Sequence, residues 1–395
     1  MITALIAALL VAAPAPSPSL QNRAAVFAVA KAGVGDAAAG ADKAQAQLTQ
    51  ALSAENVSLA DVKALFPESS QPANGTKLMN EGLEAFDNLD TEAASQKFRE
   101  ALHFYEQNPG AADSKTLAEL HLFEGTIAMQ SGKAGKKKAV EEITHAAILD
   151  PAIDLNPKYF GPDVKKEWER VVKELEARPK STLSFSSNPA GADVFFRGKS
   201  LGLTPLTRAA SVSLGQQLAT FKRPGYETTG TLLDVTGDTE AKATLKPVPA
   251  YAAQKSKMND VIPGNFGGKQ VPNIAVNVAE AMQSRFLVVA EVDARGEGKL
   301  EVWDAANGNR MKDVSLVTGD YASAAKQVKT FMASPAPLSS SGTAASASVE
   351  DTTSEPITKK WWFWTAVGVV VVGGAVGAGV AIANARHPYN PALGF

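Results

Sequence analysis

The 395-residue chain contains no cysteine. Disulfides, thiol nucleophiles and thiolate-bound metals are therefore excluded, which fits either a reducing compartment or an exported chain that relies on ordinary cores. Histidine is nearly as scarce, with 4 residues. His103, His121 and His145 fall in expected helices without an HxxxH or HExxH spacing, and His387 lies near the C-terminus. They read as satisfied or solvated helix positions rather than metal ligands. An excess of positive charge is missing too: 39 Lys and Arg against 41 Asp and Glu give a net charge of −2. Nucleic acid is not expected as a partner, because holding phosphates requires clustered basic surface.

Catalytic motifs are also lacking. There is no GxSxG elbow and no Walker pattern. Gly264-Asn265-Phe266-Gly267-Gly268 has neither the following Lys-Ser/Thr nor a preceding strand, and reads as a linker. The acidic pairs Glu119 and Glu124, Glu141 and Glu142, and Asp234 and Asp238 show no local feature that would separate their pKa values. They read as solvated faces, and Lys133, Lys136, Lys137 and Lys138 as a solvated turn. No catalytic, cofactor-binding or metal residue is assigned and no cofactor is expected. A non-enzymatic protein is the reading, and a composite active site built from distant residues is the competing class.

What is present begins at the two ends. Trp361 to Ala383 carries no charged residue and opens Trp-Trp-Phe-Trp. At about 1.5 Å per helical residue it reaches roughly 34 Å, beyond a hydrocarbon core of ~30 Å. A C-terminal transmembrane helix over 361–383 is expected, with Trp361, Trp362 and Trp364 at the interface. Gly373 and Gly377 form a small-xxx-small pair suited to self-association. Ile2 to Ala13 is an apolar run followed by a Pro-rich stretch, so 1–19 reads as a signal peptide. Export is the preferred orientation: an inner-membrane, single-pass C-terminal anchor with the bulk in the periplasm. Lys359 and Lys360 support the alternative, a tail-anchored protein on the cytoplasmic face. Between them, 334–358 is Ser/Thr/Ala/Pro-rich and reads as a disordered linker.

The length suggests two to four domains. Arg23 to Ala30 reads as a short buried strand and Ala37 to Leu52 as a helix, giving a β-α segment over 20–66. In 76–178 small and large apolar residues recur at set intervals: Gly82, Ala94, Phe98 and Ala101, then Gly125, Gly132, Ala139, Ile143, Ala146 and Pro151. The pattern resembles tetratricopeptide repeats, which implies two helical hairpins with a groove along their first helices for a protein partner. Two extra residues fall in the turn at Ser131 to Lys138. Val164, Trp168, Val171 and Leu175 recur at helical spacing after Gly161-Pro162-Asp163, and would cover the open end.

Over 180–248 short alternating strands are separated by Gly/Pro turns. Pro189, Gly191 and Ala192 make one turn, Gly198, Gly202 and Pro205 punctuate the next strands, and Gly225 and Tyr226 follow the strand ending in Phe221-Lys222-Arg223. The segment resembles the PEGA domain, with Ala190 where the name motif has Glu. The resemblance implies a small all-β sandwich with exposed loops, and contact with envelope components or cell-wall polysaccharide.

Residues 260–333 read helix, strand, hairpin, helix, with Asn307-Gly308 at the tight turn. The order is similar to the second half of the α/β domain at the front of TolB-type and curli-secretion-type periplasmic proteins. A lone strand at Val26 needs partners. The expectation is one α/β unit split across the chain, the alternative being two small separate units. The fold class is thus multi-domain α+β, and the expected role is a membrane-tethered envelope scaffold or adaptor.

Overall fold

In the computed structural model residues 20–32, 37–69 and 74–335 are described. The expected signal peptide, the linker beyond Pro335 and the apolar stretch containing Trp361, Trp362, Trp364, Gly373 and Gly377 lie outside them. Among the described residues no helix is long and apolar enough to cross a membrane.

The first strand, β1 (Gln21–Ala30), is followed by α1 (Ala37–Ala54) and the short α2 (Val62–Leu65). Its sheet partner comes much later: β1 pairs in parallel with β9 (Ser284–Val292), with Val26 opposite Val288. The hairpin β10 (Gly298–Asp304) and β11 (Val314–Leu316) completes a sheet in the order β1-β9-β10-β11. The β-α segment and the later α/β segment are therefore one unit, and everything between them is an insertion. Both faces of the sheet are covered, as a parallel pair requires. Phe286, Val288, Leu300 and Val302 meet Leu48 and Leu52 of α1 and Ala325 and Val328 of α10 (Tyr321–Ala333). Phe27, Val29, Leu287, Val289 and Trp303 face the other way, toward α8 (Pro249–Val261) and α9 (Asn273–Ala281).

α8 lies where the sequence, after Pro247-Val248-Pro249, shows no helical periodicity. Pro249 occupies the first helical turn, where its missing N–H costs nothing. Only Tyr251, Met258 and Val261 are buried, too few to print an apolar stripe on the sequence. The glycine-rich loop read as a linker is also tied down. The Gly267 N–H donates to Glu301 Oε1 at 2.6 Å, and Glu301 forms a fully buried pair with Arg310 while accepting from the Trp303 indole at 2.9 Å.

Five helices form the first insertion: α3 (Asn74–Asp87), α4 (Thr91–Gln107), α5 (Ser114–Gln130), α6 (Gly132–Leu149) and α7 (Pro162–Ala177). Asp90 and Asp113 cap α4 and α5 by accepting from backbone N–H groups in the first turn. The stretch expected as a turn at Ser131 to Lys138 is instead the start of α6, and the reversal is confined to Ser131 and Gly132, the latter at φ +65°. Val164, Trp168, Val171 and Leu175 of α7 are buried against the array.

The second insertion is a sandwich of two sheets. One has the order β5-β2-β8 and the other β4-β3-β6-β7. The strands are β2 (Lys180–Asn188), β3 (Asp193–Phe196), β4 (Lys199–Leu203), β5 (Leu206–Ser213), β6 (Gly215–Lys222), β7 (Thr229–Val235) and β8 (Thr239–Thr244). Its interior, with Phe185, Phe196 and Phe221, is continuous with the α8/α9 side of the α/β sheet. Leu218 and Leu232 join the helical core instead. Replacing Phe27, which is 1% exposed, by Ala is expected to lower the stability of the whole described body by about 3–5 kcal/mol in urea denaturation. A loss below ~1 kcal/mol would show that β1 is not an integral strand.

Candidate functional site

The sandwich meets the α/β unit along a seam built from its turns. Between β2 and β3, Gly191 at φ +84° lies so close to α1 that a Cβ there would stand 2.5 Å from the Ala46 methyl. After β6, Gly225 at φ +81° lies against the Tyr251 ring of α8, where a Cβ would come within 2.2 Å. Only glycine supplies both the backbone conformation and the space.

Charge is concentrated in the same seam. Asp42 of α1 accepts from Arg223 at 3.2 Å and from Lys255 of α8 at 2.6 Å, and all three side chains are largely withdrawn from water. Arg223 also donates to the Ala190 carbonyl at 2.6 Å and lies over the Tyr226 ring, 4.9 Å from its centroid. Tyr226 packs edge-on to Tyr251, and Gln45 donates to the Tyr251 hydroxyl at 2.9 Å. Burial pushes the Tyr251 hydroxyl above its ordinary pKa, so it stays a neutral donor and acceptor. Beside the seam opens a cleft of about 660 Å³ with Gln50, Asp193, Ser200, Lys222 and Arg223 among its polar lining.

Residues 180–249 match the PEGA domain. Comparison with curated proteins and with solved structures gave no match for the chain. The PEGA signature residues divide into two groups. Gly191, Gly225 and Tyr226 are buried in the seam and Ala192 in the hydrophobic core, whereas Gly198 and Pro205 face solvent. Pro189 is half-buried in the Gly191 turn, and Gly202 lines the cleft. Loops expected to be exposed are thus partly consumed in holding the module to its neighbours.

The repeat-like positions hold helices together. Gly82 lets the Phe98 ring approach, Gly125 does the same for Ile143, and Ala94, Ala101, Ala139 and Ala146 are buried where helices cross. Gly132 opens α6 and Pro151 follows its end. Of α5, one of the two first helices expected to line a groove, only Lys115 and Gln130 are exposed. α3, at the open edge of the array, keeps more free surface, and Leu89 after it is 86% exposed. PEGA grips the array at α6: Arg197 donates to the Ile148 carbonyl at 2.8 Å, near the negative end of that helix.

Two groups read as solvated prove otherwise. Glu124 is 1% exposed and accepts from Ser95 at 2.6 Å and from Lys138 at 2.8 Å, so neither Glu124 nor Lys138 is a bystander. Glu142 is half-buried and its Oε2 lies 2.7 Å from His121 Nδ1, while the His121 and His145 rings meet edge-to-face at 5.2 Å. His103 is apart, exposed beside Glu106. No motif spacing shows the His121–Glu142–His145 group, because its members come from two helices. The usable signal is Glu142 and His145 at i and i+3, which share a helix face.

Replacing Asp42 by Ala leaves Arg223 and Lys255 withdrawn from water without their shared counter-charge. A loss of about 3–5 kcal/mol in denaturant unfolding is expected. A loss within the ~0–1 kcal/mol of an exposed pair would show the seam to be solvated.

Proposed function

We propose that the protein is a membrane-tethered scaffold or adaptor of the cell envelope. The helical array engages protein partners and the PEGA module faces envelope or cell-wall components. The observation that carries this reading is the seam: PEGA is joined to the α/β unit by close-packed glycines and a shared ion cluster, and to the array through Arg197. A module fixed on two sides presents its remaining loops, including Gly198 and Pro205, at a set angle to the array, which suits a spacer between two partners. On the array the free face of α3 is the partner surface, since α5 has little left to offer.

A second reading, a cell-wall polysaccharide-binding protein in which PEGA carries the function, draws support from the polar cleft beside the seam. Co-sedimentation of the whole chain with purified cell-wall material, weakened by Asp193→Ala with Ser200→Ala, would favour it. The isolated PEGA fragment is a poor probe because its core continues into α8 and α9.

After cell breakage without detergent the full chain is expected to sediment with membranes and to be released by detergent; recovery in the aqueous fraction would remove the tether. A photo-crosslinking residue at Glu84 or Leu89 is expected to give discrete protein adducts in cells. Absence of adducts along α3 would overturn partner binding by the array.

A further inference from the structure

We propose that His121, Glu142 and His145 form a binding site for a divalent first-row cation, zinc being the ion whose donor preference they match. One nitrogen from each imidazole and one oxygen of the carboxylate all lie within 4.8 Å of one another. A tetrahedral zinc site with metal–ligand distances of about 2.0–2.2 Å holds its donors roughly 3.3 Å apart. The difference is of the size that rotation about the soft terminal torsions of His and Glu can close.

The site has the parts such chemistry needs. Glu142 and His145 are placed at i and i+3 on α6, and α5 brings His121 across at a crossing set by Gly125 against Ile143. Among the described residues the carboxylate's hydrogen-bond and ion-pair partner is His121, and Lys138 of the same helix is bonded to Glu124 instead. A His–Glu hydrogen bond accounts for two of the three groups. The third, His145, stands edge-on to His121, an arrangement that sets two cations against each other if both rings take up protons. Sharing a metal ion uses both neutral lone pairs instead.

Three protein donors leave one tetrahedral position open, and the exposed edge of His145 puts it within reach of water or a ligating side chain of a partner.

The test uses the untagged full-length chain in detergent, stripped with chelator and titrated with Zn²⁺ against a chromophoric competitor, and separately with Co²⁺. One equivalent of tight Zn²⁺ binding, a four-coordinate Co²⁺ spectrum and a rise in the thermal midpoint with Zn²⁺ are expected. His121→Ala and His145→Ala should each weaken binding by at least about 10–100-fold, the range lost with even an outer-shell partner. His145 is solvent-edged, so its variant tests the site in a folded protein, as circular dichroism would verify. His103→Ala and His387→Ala should bind as the parent does. Binding well below one equivalent, or affinity unchanged in His145→Ala, would overturn the site, as would equal losses in the His103 or His387 variants.

Discussion

The rest of the structure depends on one strand pairing. β1 finds its parallel partner in β9 only after the chain has passed through the helical array and the sandwich. Two conditions follow from that topology. The insertion must leave and return at neighbouring points of one sheet, and the sheet that β1 joins must be buried on both faces. The second is met by helices that belong to the α/β unit itself, α1 and α10 on one side and α8 and α9 on the other. The non-local closure carries a chain-entropy cost that grows only slowly with the length between the strands, so a long insertion is tolerable. It also makes the β1–β9 pairing a strongly non-local contact, of the kind that slows folding.

That closure explains why the PEGA module is not an appendage. Entering from α7 and leaving into α8, it is held by the elements on either side of it in sequence. Its hydrophobic interior runs without a break into the α/β core, while Leu218 and Leu232 belong to the helical core. A separate domain would seal its own core and meet its neighbours through a thinner, more polar contact. Here the β sandwich is the mortar between the other two modules.

Much of this was legible in the residues, and the parts that were not share a cause. The split sheet could be read because Val26 sits in a short apolar run with no partner strand nearby in the chain, while the strand of Val288 and its hairpin make too small a sheet by themselves. The hairpin crossings showed because Gly82, Ala94, Phe98 and Ala101 act within tens of residues of one another. What escaped reading is non-local polar chemistry. Glu124 is buried because Ser95 and Lys138 reach it, and Glu301 because Arg310 and the Gly267 N–H do. An isolated acidic residue in a sequence looks solvated unless its partner is known, since the default cost of burying it is high. α8 escaped for a different reason: a helix clamped between two modules through three residues has no long apolar face to display.

The seam between α1, α8 and PEGA shows what such polar burial contributes. α1 is rich in alanine and buries mostly small side chains, so the face it turns to PEGA has little bulk with which to gain dispersion energy. Close approach of Gly191 to Ala46 compensates in part, but surfaces of small residues slide easily over one another. The Asp42–Arg223–Lys255 cluster removes that freedom. Arg223 is fixed from behind by the Ala190 carbonyl and from the side by the Tyr226 ring, so its guanidinium meets Asp42 in one orientation. Withdrawing three charged groups from water costs about as much as their pairing returns. The net stability of the cluster is therefore small compared with its directional effect: removing one member is damaging, yet the intact group serves chiefly to set the angle at which the module stands. A charged contact is the economical solution where the facing helix is too smooth to define that angle by shape.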